Sequence, residues 1–177
     1  IALGLDRIGA VARRLDLARP APVVISVAGT NGKGSTIAFV EAILRAAGLR
    51  VGAYTSPHLL RYNERLRIDG ADIDDAALVE AFARIEAARG ETPLTYFEYG
   101  TLAALRICAT SGLDVALLEV GLGGRLDAVN LVDADAAIVP TVDLDHIDWL
   151  GNDRATIARE KAGIFRAGRP AVIAEAD

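Results

Sequence analysis

The chain has 177 residues, 52% of them hydrophobic, and it carries a formal net charge of −5 at neutral pH. This length allows one domain with a sizeable buried core, and no apolar run reaches the roughly 20 residues that a membrane-spanning helix needs. The negative net charge argues against a general nucleic-acid role, which requires a basic face, but it still allows a local cationic pocket for a nucleotide.

The cysteine content and the first residues predict a protein of the reducing cytoplasm. The chain has one cysteine, and its opening segment mixes charges with apolar positions where a secretory signal would be apolar. Cys108 lies in an apolar helical stretch, so we expect it to belong to the core. Because the chain starts with Ile1 and stops directly after a strand-like run, we expect it to be part of a longer protein.

The first half of the chain alternates short apolar strands with helices. A β-branched run over residues 23–27 predicts a strand, and a glycine-rich loop follows it. Residues 35–47 predict a helix that ends at Gly48, residues 51–54 a second strand, and residues 74–89 an amphipathic helix. The apolar faces of the two helices are formed by Ile37, Val40, Ile43 and Leu44, and by Leu78, Phe82 and Ile85.

The second half continues this alternation. Helices are predicted over residues 97–111, ending at Gly112, and over residues 153–162, with Asp153 as the N-cap. Strands are predicted over residues 115–120, 136–141 and 171–174. The first of these is almost continuously apolar, which is typical of a strand buried on both faces of a parallel sheet.

Together these elements predict an α/β domain with a mostly parallel sheet and flanking helices, joined by right-handed crossovers. In such sheets, ligands bind beyond the carboxyl ends of the strands. The polar motifs of this chain follow directly after its predicted strands, so we expect them to meet at one edge of the sheet.

The segment over residues 26–36, SVAGTNGKGST, links a strand to a helix and has the composition of a phosphate-binding loop. Glycines let backbone N–H groups approach an anion closely, and the helix N-terminus adds a favourable dipole. Lys33 is a mobile cation for the outer phosphates, and the hydroxyl of Ser35 or Thr36 can bind phosphate or Mg²⁺. Only two residues separate the first glycine from the Gly-Lys pair, where the standard motif has four. The alternative is an ordinary glycine-rich turn.

Glu119 is a candidate metal ligand because it lies in the apolar run over residues 115–120, next to a second glycine-rich segment. A buried carboxylate costs several kcal/mol unless it is paired or bound to a metal. At the carboxyl end of its strand, Glu119 can reach a magnesium ion held by nucleotide phosphates. The alternative is a salt bridge to Arg125 or to another basic residue.

The two histidines are also candidates, although a lone histidine is usually structural. His146 lies among Asp143, Asp145 and Asp148, just after a predicted strand, and His58 follows the strand over residues 51–54. Oxygen-rich surroundings of this kind favour Mg²⁺ over zinc.

Six motifs in one order give the chain a resemblance to a known family. They are GTNGKGS, TSPHL, RYNERL, EVGLGGRLDAVN, DHIDWLG and IAREKAGI. In this order they resemble the folylpolyglutamate synthase/dihydrofolate synthase family of the Mur ligase superfamily, and they extend over essentially the whole chain. Gly34 favours the folate branch, since the peptidoglycan ligases usually carry threonine there. Two positions depart from the family pattern: Ser26, where histidine is frequent, and Val129, where threonine is usual.

The resemblance implies a role for four groups of residues. The ATP phosphates would be bound by Asn31, Gly32, Lys33, Gly34, Ser35 and Thr36. Magnesium would be bound by Ser56, Glu119 and His146. Lys161, which its spacing alone would leave as a surface lysine, matches a lysine that is carbamylated in this family, and it would act in catalysis with Lys33, Glu119 and His146. The pterin-containing substrate would be contacted by Leu3, Gly4, Thr95, Tyr96, Phe97, Glu98, Leu126, Asp127 and Ala128.

The function that the resemblance implies is an ATP-dependent ligase that adds L-glutamate to dihydropteroate, to folate polyglutamates or to both, through an acyl phosphate. Residues 1–177 would be the truncated N-terminal ATP-binding domain of a monomeric enzyme, without its C-terminal domain and inactive alone. Two alternatives stay open. One is a P-loop module that hydrolyses nucleotide as a conformational switch, and the other is a peptidoglycan-precursor ligase of the same superfamily.

Overall fold

A seven-stranded sheet runs through the structure, a computed structural model that describes residues 2–174. The strands are β1 (Val23–Val27), β2 (Val51–Tyr54), β3 (Leu66–Ile68), β4 (Ala71–Asp72), β5 (Val115–Glu119), β6 (Ala136–Val139) and β7 (Ala171–Ile173). Their order across the sheet is β4-β3-β2-β5-β1-β6-β7, and the pairs from β2 to β7 are parallel. The predicted α/β fold with a mostly parallel sheet is confirmed.

Helices cover the sheet. They are α1 (Asp6–Arg14), α2 (Lys33–Ala46), α3 (Asp75–Arg89), α4 (Tyr96–Thr110), α5 (Ile147–Leu150) and α6 (Arg154–Ala162), with 3-10 turns over Tyr62–Arg65 and Ala128–Leu131. Among the residues that the structure describes, no helix is long and apolar enough to cross a bilayer.

Several helices begin at side-chain caps that are readable in the sequence. Asp153 caps α6, since its carboxylate accepts a hydrogen bond from the N–H of Thr156 at 2.8 Å. Thr95 and Glu98 form a reciprocal capping box at the start of α4, because each side chain accepts a bond from the other residue's N–H. These caps satisfy N–H groups that have no partner within a helix, and the predicted cap at Asp153 is confirmed.

The core occupies both faces of the sheet, and every residue of β5 is buried, as its apolar run predicted. Cys108 is also buried, which confirms the prediction that it belongs to the core. The predicted face of α2 is wrong at Ile43, which is 66% exposed. The helix instead presents Ile37 and Glu41, four residues apart, to the interior, so its buried stripe is narrower than predicted.

The hairpin of β3 and β4 was not predicted. Both strands are short and run antiparallel beside β2 at the edge of the sheet. With three and two residues, they are too short to show an alternating apolar pattern. The strand predicted over residues 136–141 ends earlier, at Val139, because Pro140 has no N–H to donate to a neighbouring strand.

Candidate active site

Three parallel strands end side by side at one edge of the sheet. Val27 at the end of β1 is paired with Glu119 at the end of β5, and Tyr54 at the end of β2 is paired with Leu118. The segments that follow β1 and β2 therefore begin on either side of Glu119. This adjacency was expected from the parallel order, and it assembles the site from segments that are far apart in the sequence.

The loop after β1 has the conformation that its glycines predicted. Gly29 has a φ of 154° and Gly32 a φ of 81°, in the region that favours glycine, and a Cβ at Gly29 would lie 3.1 Å from the ring of Pro140. Lys33 Nζ donates to the carbonyl of Gly29 at 2.8 Å and to that of Thr30 at 3.3 Å. The ammonium group is thereby held against the loop at the start of α2.

Of the hydroxyls of Ser35 and Thr36, one is engaged within the helix. Thr36 Oγ1 donates to the carbonyl of Gly32 at 2.8 Å, which closes the first turn of α2. Ser35 is exposed beside it. This arrangement favours Ser35 as the hydroxyl that meets a phosphate or a metal ion.

Glu119 lies directly beside the loop and is only 4% exposed. Its Oε2 accepts a hydrogen bond from the backbone N–H of Ser56 at 2.9 Å, and a Cβ built on Gly34 would lie 4.0 Å from the same oxygen. The alternative salt bridge to Arg125 does not form, because that guanidinium pairs with Glu160 at 2.8 Å.

The environment of Glu119 contains opposing electrostatic influences. Burial raises the pKa of its carboxyl, while the N–H of Ser56 and the positive charges of Lys33 and Arg67 act in the opposite direction. A buried carboxylate that faces cations of the protein can bind a metal ion in the same position.

Lys161 is buried and not the surface residue that its spacing suggested. It is 3% exposed on α6, and burial, reinforced by the charge of Lys33, lowers its pKa to about 8, against the influence of Asp145. Helix α6 packs closely against the backbone at Gly124, because a Cβ on that residue would lie 2.9 Å from the backbone oxygen of Lys161. The sequence sets this residue apart in one respect that does not predict its burial: Lys33 and Lys161 are the two lysines of a chain whose other basic residues are arginines and two histidines.

The two histidines differ in their surroundings. His146 precedes α5 with a left-handed φ of 48°, and its half-exposed ring has Nε2 3.5 Å from Oδ2 of Asp145. His58 is engaged in a structural contact, because its Nδ1 accepts a hydrogen bond from Nε of Arg65 at 2.8 Å. The structural alternative therefore fits His58 better than His146.

A cavity of about 610 Å³ opens beside these groups. Its lining includes all nine residues predicted to contact a pterin-containing substrate, which are Leu3, Gly4, Thr95, Tyr96, Phe97, Glu98, Leu126, Asp127 and Ala128. Lys33, Ser56 and His146 line the same cavity. Three distant segments, which the resemblance grouped as contacts of the pterin-containing substrate, therefore line the same cavity as Lys33 of the phosphate loop.

Two carboxylates in this cavity are held rigidly. Asp127 is buried, which raises its pKa to about 6, and its oxygens accept bonds from the N–H groups of Leu122 and Val129, both at 2.9 Å. Glu98 is anchored by its capping box and by Arg7, which donates to Oε1 at 3.0 Å. The sequence analysis did not identify the contact with Arg7, since 91 residues separate the partners.

The donors at the loop fit magnesium better than a metal that requires a protein cage. Within residues 2–174, no cluster of three or more His, Cys, Asp or Glu side chains is arranged to hold a metal ion. Magnesium is usually bound by one or two carboxylates together with phosphate oxygens and water. Glu119, with Ser56 beside it and the phosphate loop adjacent, offers that donor set.

The arrangement is that of a P-loop nucleotide-binding domain. A glycine loop with an embedded lysine joins a strand to a helix, and an acidic residue lies at the end of the adjacent strand. Residues 27–177 match the family model of the Mur ligase middle domain, and the chain belongs to this family. The resemblance identified from the motifs is confirmed at this level.

Relatives with high sequence identity carry names from folate metabolism. The chain is 58% identical over 175 residues to the dihydrofolate synthase/folylpolyglutamate synthase of Escherichia coli (strain K12), with 99% of this chain and 42% of the relative covered. The protein of the same name from Haemophilus influenzae is 57% identical, again with 99% of this chain and 40% of the relative covered. The chain therefore spans about two fifths of the length of these relatives.

Solved structures agree with the fold. E. coli FolC in complex with DHPP and ADP superposes with a TM-score of 0.96 at 58% identity, over 98% of this chain and 42% of that chain. A bifunctional folylpolyglutamate synthase/dihydrofolate synthase with Mn, AMPPNP and L-glutamate bound gives a TM-score of 0.95 at 60% identity, over 100% of this chain and 44% of that chain.

Proposed function

We propose that this chain is the N-terminal ATP-binding part of an ATP-dependent carboxylate–amine ligase, which adds L-glutamate to dihydropteroate, to folate polyglutamates or to both. The observation that carries the proposal is the shared cavity, in which the nine substrate residues meet Lys33, Ser56 and His146. The names of the relatives and the ligands bound in their structures support the same chemistry.

In this proposal, the phosphate loop binds ATP through Asn31, Gly32, Lys33, Gly34, Ser35 and Thr36. Ser56, Glu119 and His146 hold Mg²⁺, which when bound neutralises charge on the phosphate oxygens. The wall formed by the remaining cavity residues binds the pterin part of the acceptor. Phe97 offers an aromatic face to it, and Asp127 and Glu98 offer acceptor oxygens.

The reaction has two steps. The acceptor carboxylate attacks the γ-phosphorus, the bond from that phosphorus to the β,γ-bridging oxygen breaks, and ADP leaves an acyl phosphate behind. The α-amine of glutamate then attacks the acyl carbon, a C–N bond forms, inorganic phosphate leaves and the amine loses a proton. Lys33 neutralises charge on the transferring phosphoryl group, and the cavity walls align the reactants, so no nucleophilic Ser or Cys is required.

Lys161 in this scheme is carbamylated, which converts a buried cation into an anion. Support comes from its burial and a pKa of about 8, which leave part of the amine neutral and nucleophilic near neutral pH. The neutral nitrogen would form a bond to the carbon of CO₂ and release a proton. Incubation with ¹³C-bicarbonate should give a carbamate carbon signal in wild-type protein that disappears in Lys161→Gln. A signal that persists in this variant would place the carbamate elsewhere.

The test of the proposed function is phosphate release by the full-length protein. We expect release only when a folate acceptor and glutamate are both supplied with ATP. Turnover with ATP alone would support the switch module. Activity with a UDP-muramoyl acceptor, combined with inactivity on dihydropteroate, would support the peptidoglycan-precursor ligase.

The cellular setting belongs to the same proposal. We propose that the full-length protein works in the cytoplasm as a monomer, without membrane or nucleic-acid partners. A buried free cysteine and a net charge of −5 support this setting. Light scattering coupled to size exclusion would test the monomer directly, and a mass twice that of the full-length chain would contradict it.

A further inference from the structure

Arg65 is a buried cation in the wall of the 610 Å³ cavity. It is 9% exposed and ends the 3-10 turn before β3. The central carbon of its guanidinium lies 5.4 Å from the ring centroid of Tyr62 and 5.5 Å from that of Tyr96. The two aromatic rings fix the position of the guanidinium through cation–π contacts.

Among the described residues 2–174, no carboxylate forms an ion pair with Arg65. Its hydrogen-bond partner is the ring of His58, which accepts from Nε at 2.8 Å. Arg67, two residues further on, shows the usual arrangement, because its guanidinium donates twice to Glu41 Oε2, at 2.7 and 3.1 Å. A guanidinium that is largely buried without an anion is costly, and cation–π contacts offset only part of that cost.

The terminal nitrogens of such a group form a planar fork that fits a carboxylate. The cavity holds a second permanent cation, Lys33, but different elements position the two. Lys33 is held by the loop carbonyls after β1, where a γ-phosphate and the reacting carboxylate must meet. Arg65 is held by aromatic side chains, and one of them, Tyr96, is 64% exposed. Because different elements position the two cations, the wall around Arg65 is suited to an acidic group of the acceptor other than the reacting carboxylate.

We propose that Arg65 binds an acceptor carboxylate that does not react, and that it thereby selects acceptors already carrying a glutamate. This inference rests on the proposed ligase function. Dihydropteroate has one carboxylate, which must react, whereas a pteroylglutamate has an α-carboxylate in addition to the side-chain carboxylate that is extended. Arg65 thus distinguishes the second substrate class from the first, and it is a specificity-determining residue for polyglutamate extension.

The experiment compares two acceptors in the full-length protein, first without substitutions. Ligation of neither acceptor would refute the proposed function itself. Ligation of dihydropteroate alone would leave the ligase intact and overturn the role of Arg65. With both active, Arg65→Gln should lower kcat/KM for a reduced pteroylglutamate by about 10-fold or more, mainly through KM, as expected for a lost charge-assisted hydrogen bond. The value for dihydropteroate should change by less than about 3-fold.

Two controls separate recognition from folding. Arg61→Gln removes a nearby arginine that pairs with Asp75 in solvent and does not line the cavity, so it should affect neither acceptor. Replacing the α-carboxylate of the pteroylglutamate by an amide should lower kcat/KM by about 10-fold or more in the wild type, and it should cause no further loss in Arg65→Gln. If Arg65→Gln fails to fold, the comparison of the acid and amide acceptors in the wild type tests the proposal. Equal use of acid and amide, or equal loss on both acceptors, would overturn the proposal.

Discussion

The backbone N–H of Ser56 donates a hydrogen bond to Oε2 of Glu119 at 2.9 Å. This contact joins the segment after β2 to the end of β5, and it brings a hydroxyl-bearing residue to the buried carboxylate beside Gly34 of the phosphate loop. One bond therefore orients the carboxylate and keeps the serine next to it. We expect this pair to be the part of the site where a metal ion and the phosphates meet.

Replacement of Lys33 by alanine should abolish ligase turnover in the full-length protein and weaken ATP binding by about 10- to 100-fold, because a charged donor to the phosphates is lost. The fold should survive, since the two bonds from Nζ to the loop carbonyls are the contacts removed. Calorimetric ATP titration and thermal unfolding would check both points. Arg84→Ala, on the exposed face of α3, is the matched control. Near-normal turnover of the Lys33 variant would contradict the assignment.

Replacement of Glu119 by glutamine should raise the Mg²⁺ concentration needed for half-maximal activity by about 10-fold or more and lower the maximal rate. Glutamine keeps an oxygen that can accept from the N–H of Ser56, so the change removes charge with little change of shape. A magnesium titration of initial rates would measure the effect, with the exposed Glu80→Gln variant as control. An unchanged magnesium requirement would exclude Glu119 as a ligand.

Replacement of Gly121 by alanine should raise KM for the pteroyl acceptor and leave ATP affinity unchanged. A Cβ there would lie 2.7 to 3.1 Å from three ring atoms of Phe97, so the ring must move within the cavity that both residues line. We expect an increase of about 5-fold or more, since the displaced ring is the aromatic face proposed for the pterin. Steady-state kinetics with ATP and acceptor varied separately would show the split. Equal effects on both substrates would indicate a general distortion.

The buried Asp127 predicts a pH dependence of stability. Burial raises the pKa of its carboxyl from 3.8 to about 6, so between these values the folded state binds a proton that the unfolded state has lost. The contribution of Asp127 to the free energy of unfolding is therefore fully present below the unfolded pKa and is lost as pH rises through about 6. Asp127→Asn cannot ionise. Urea unfolding of both proteins from pH 4 to 7 should show the wild type losing stability relative to the variant. A constant difference would contradict the prediction.

The sequence predicted the elements that carry local patterns. β1 and β2 have their predicted bounds, and the other predicted strands and helices differ from their predictions by a few residues at their ends, whereas α1 and the short α5 were not predicted. Two further errors occur where the pattern is weak or depends on packing. The β3–β4 hairpin is too short to show an alternation, and Ile43 is apolar but faces solvent because α2 turns Glu41 inward to meet Arg67.

The candidate site likewise has a part that the sequence predicted and a part that it did not. The phosphate loop was predicted from contiguous residues, because its glycines act through the backbone of a single turn and its lysine lies within the same turn. The cavity-lining residues were grouped by resemblance and not by any spacing within the chain. Arg65 was not identified, although it lies within one of the motifs, since nothing in the sequence shows that its guanidinium is buried without a carboxylate.

The sequence by itself determined the alternation of strands and helices, the phosphate loop and the acidic residue in an apolar strand, because each depends on neighbours along the chain. Only the tertiary structure decided that Glu119 lies against Ser56, that Lys161 is buried and that Arg65 lines the cavity beside them. Desolvation and ion pairing depend on which distant segments pack together, and parallel strand order, set by long-range contacts, brings those segments to one edge of the sheet.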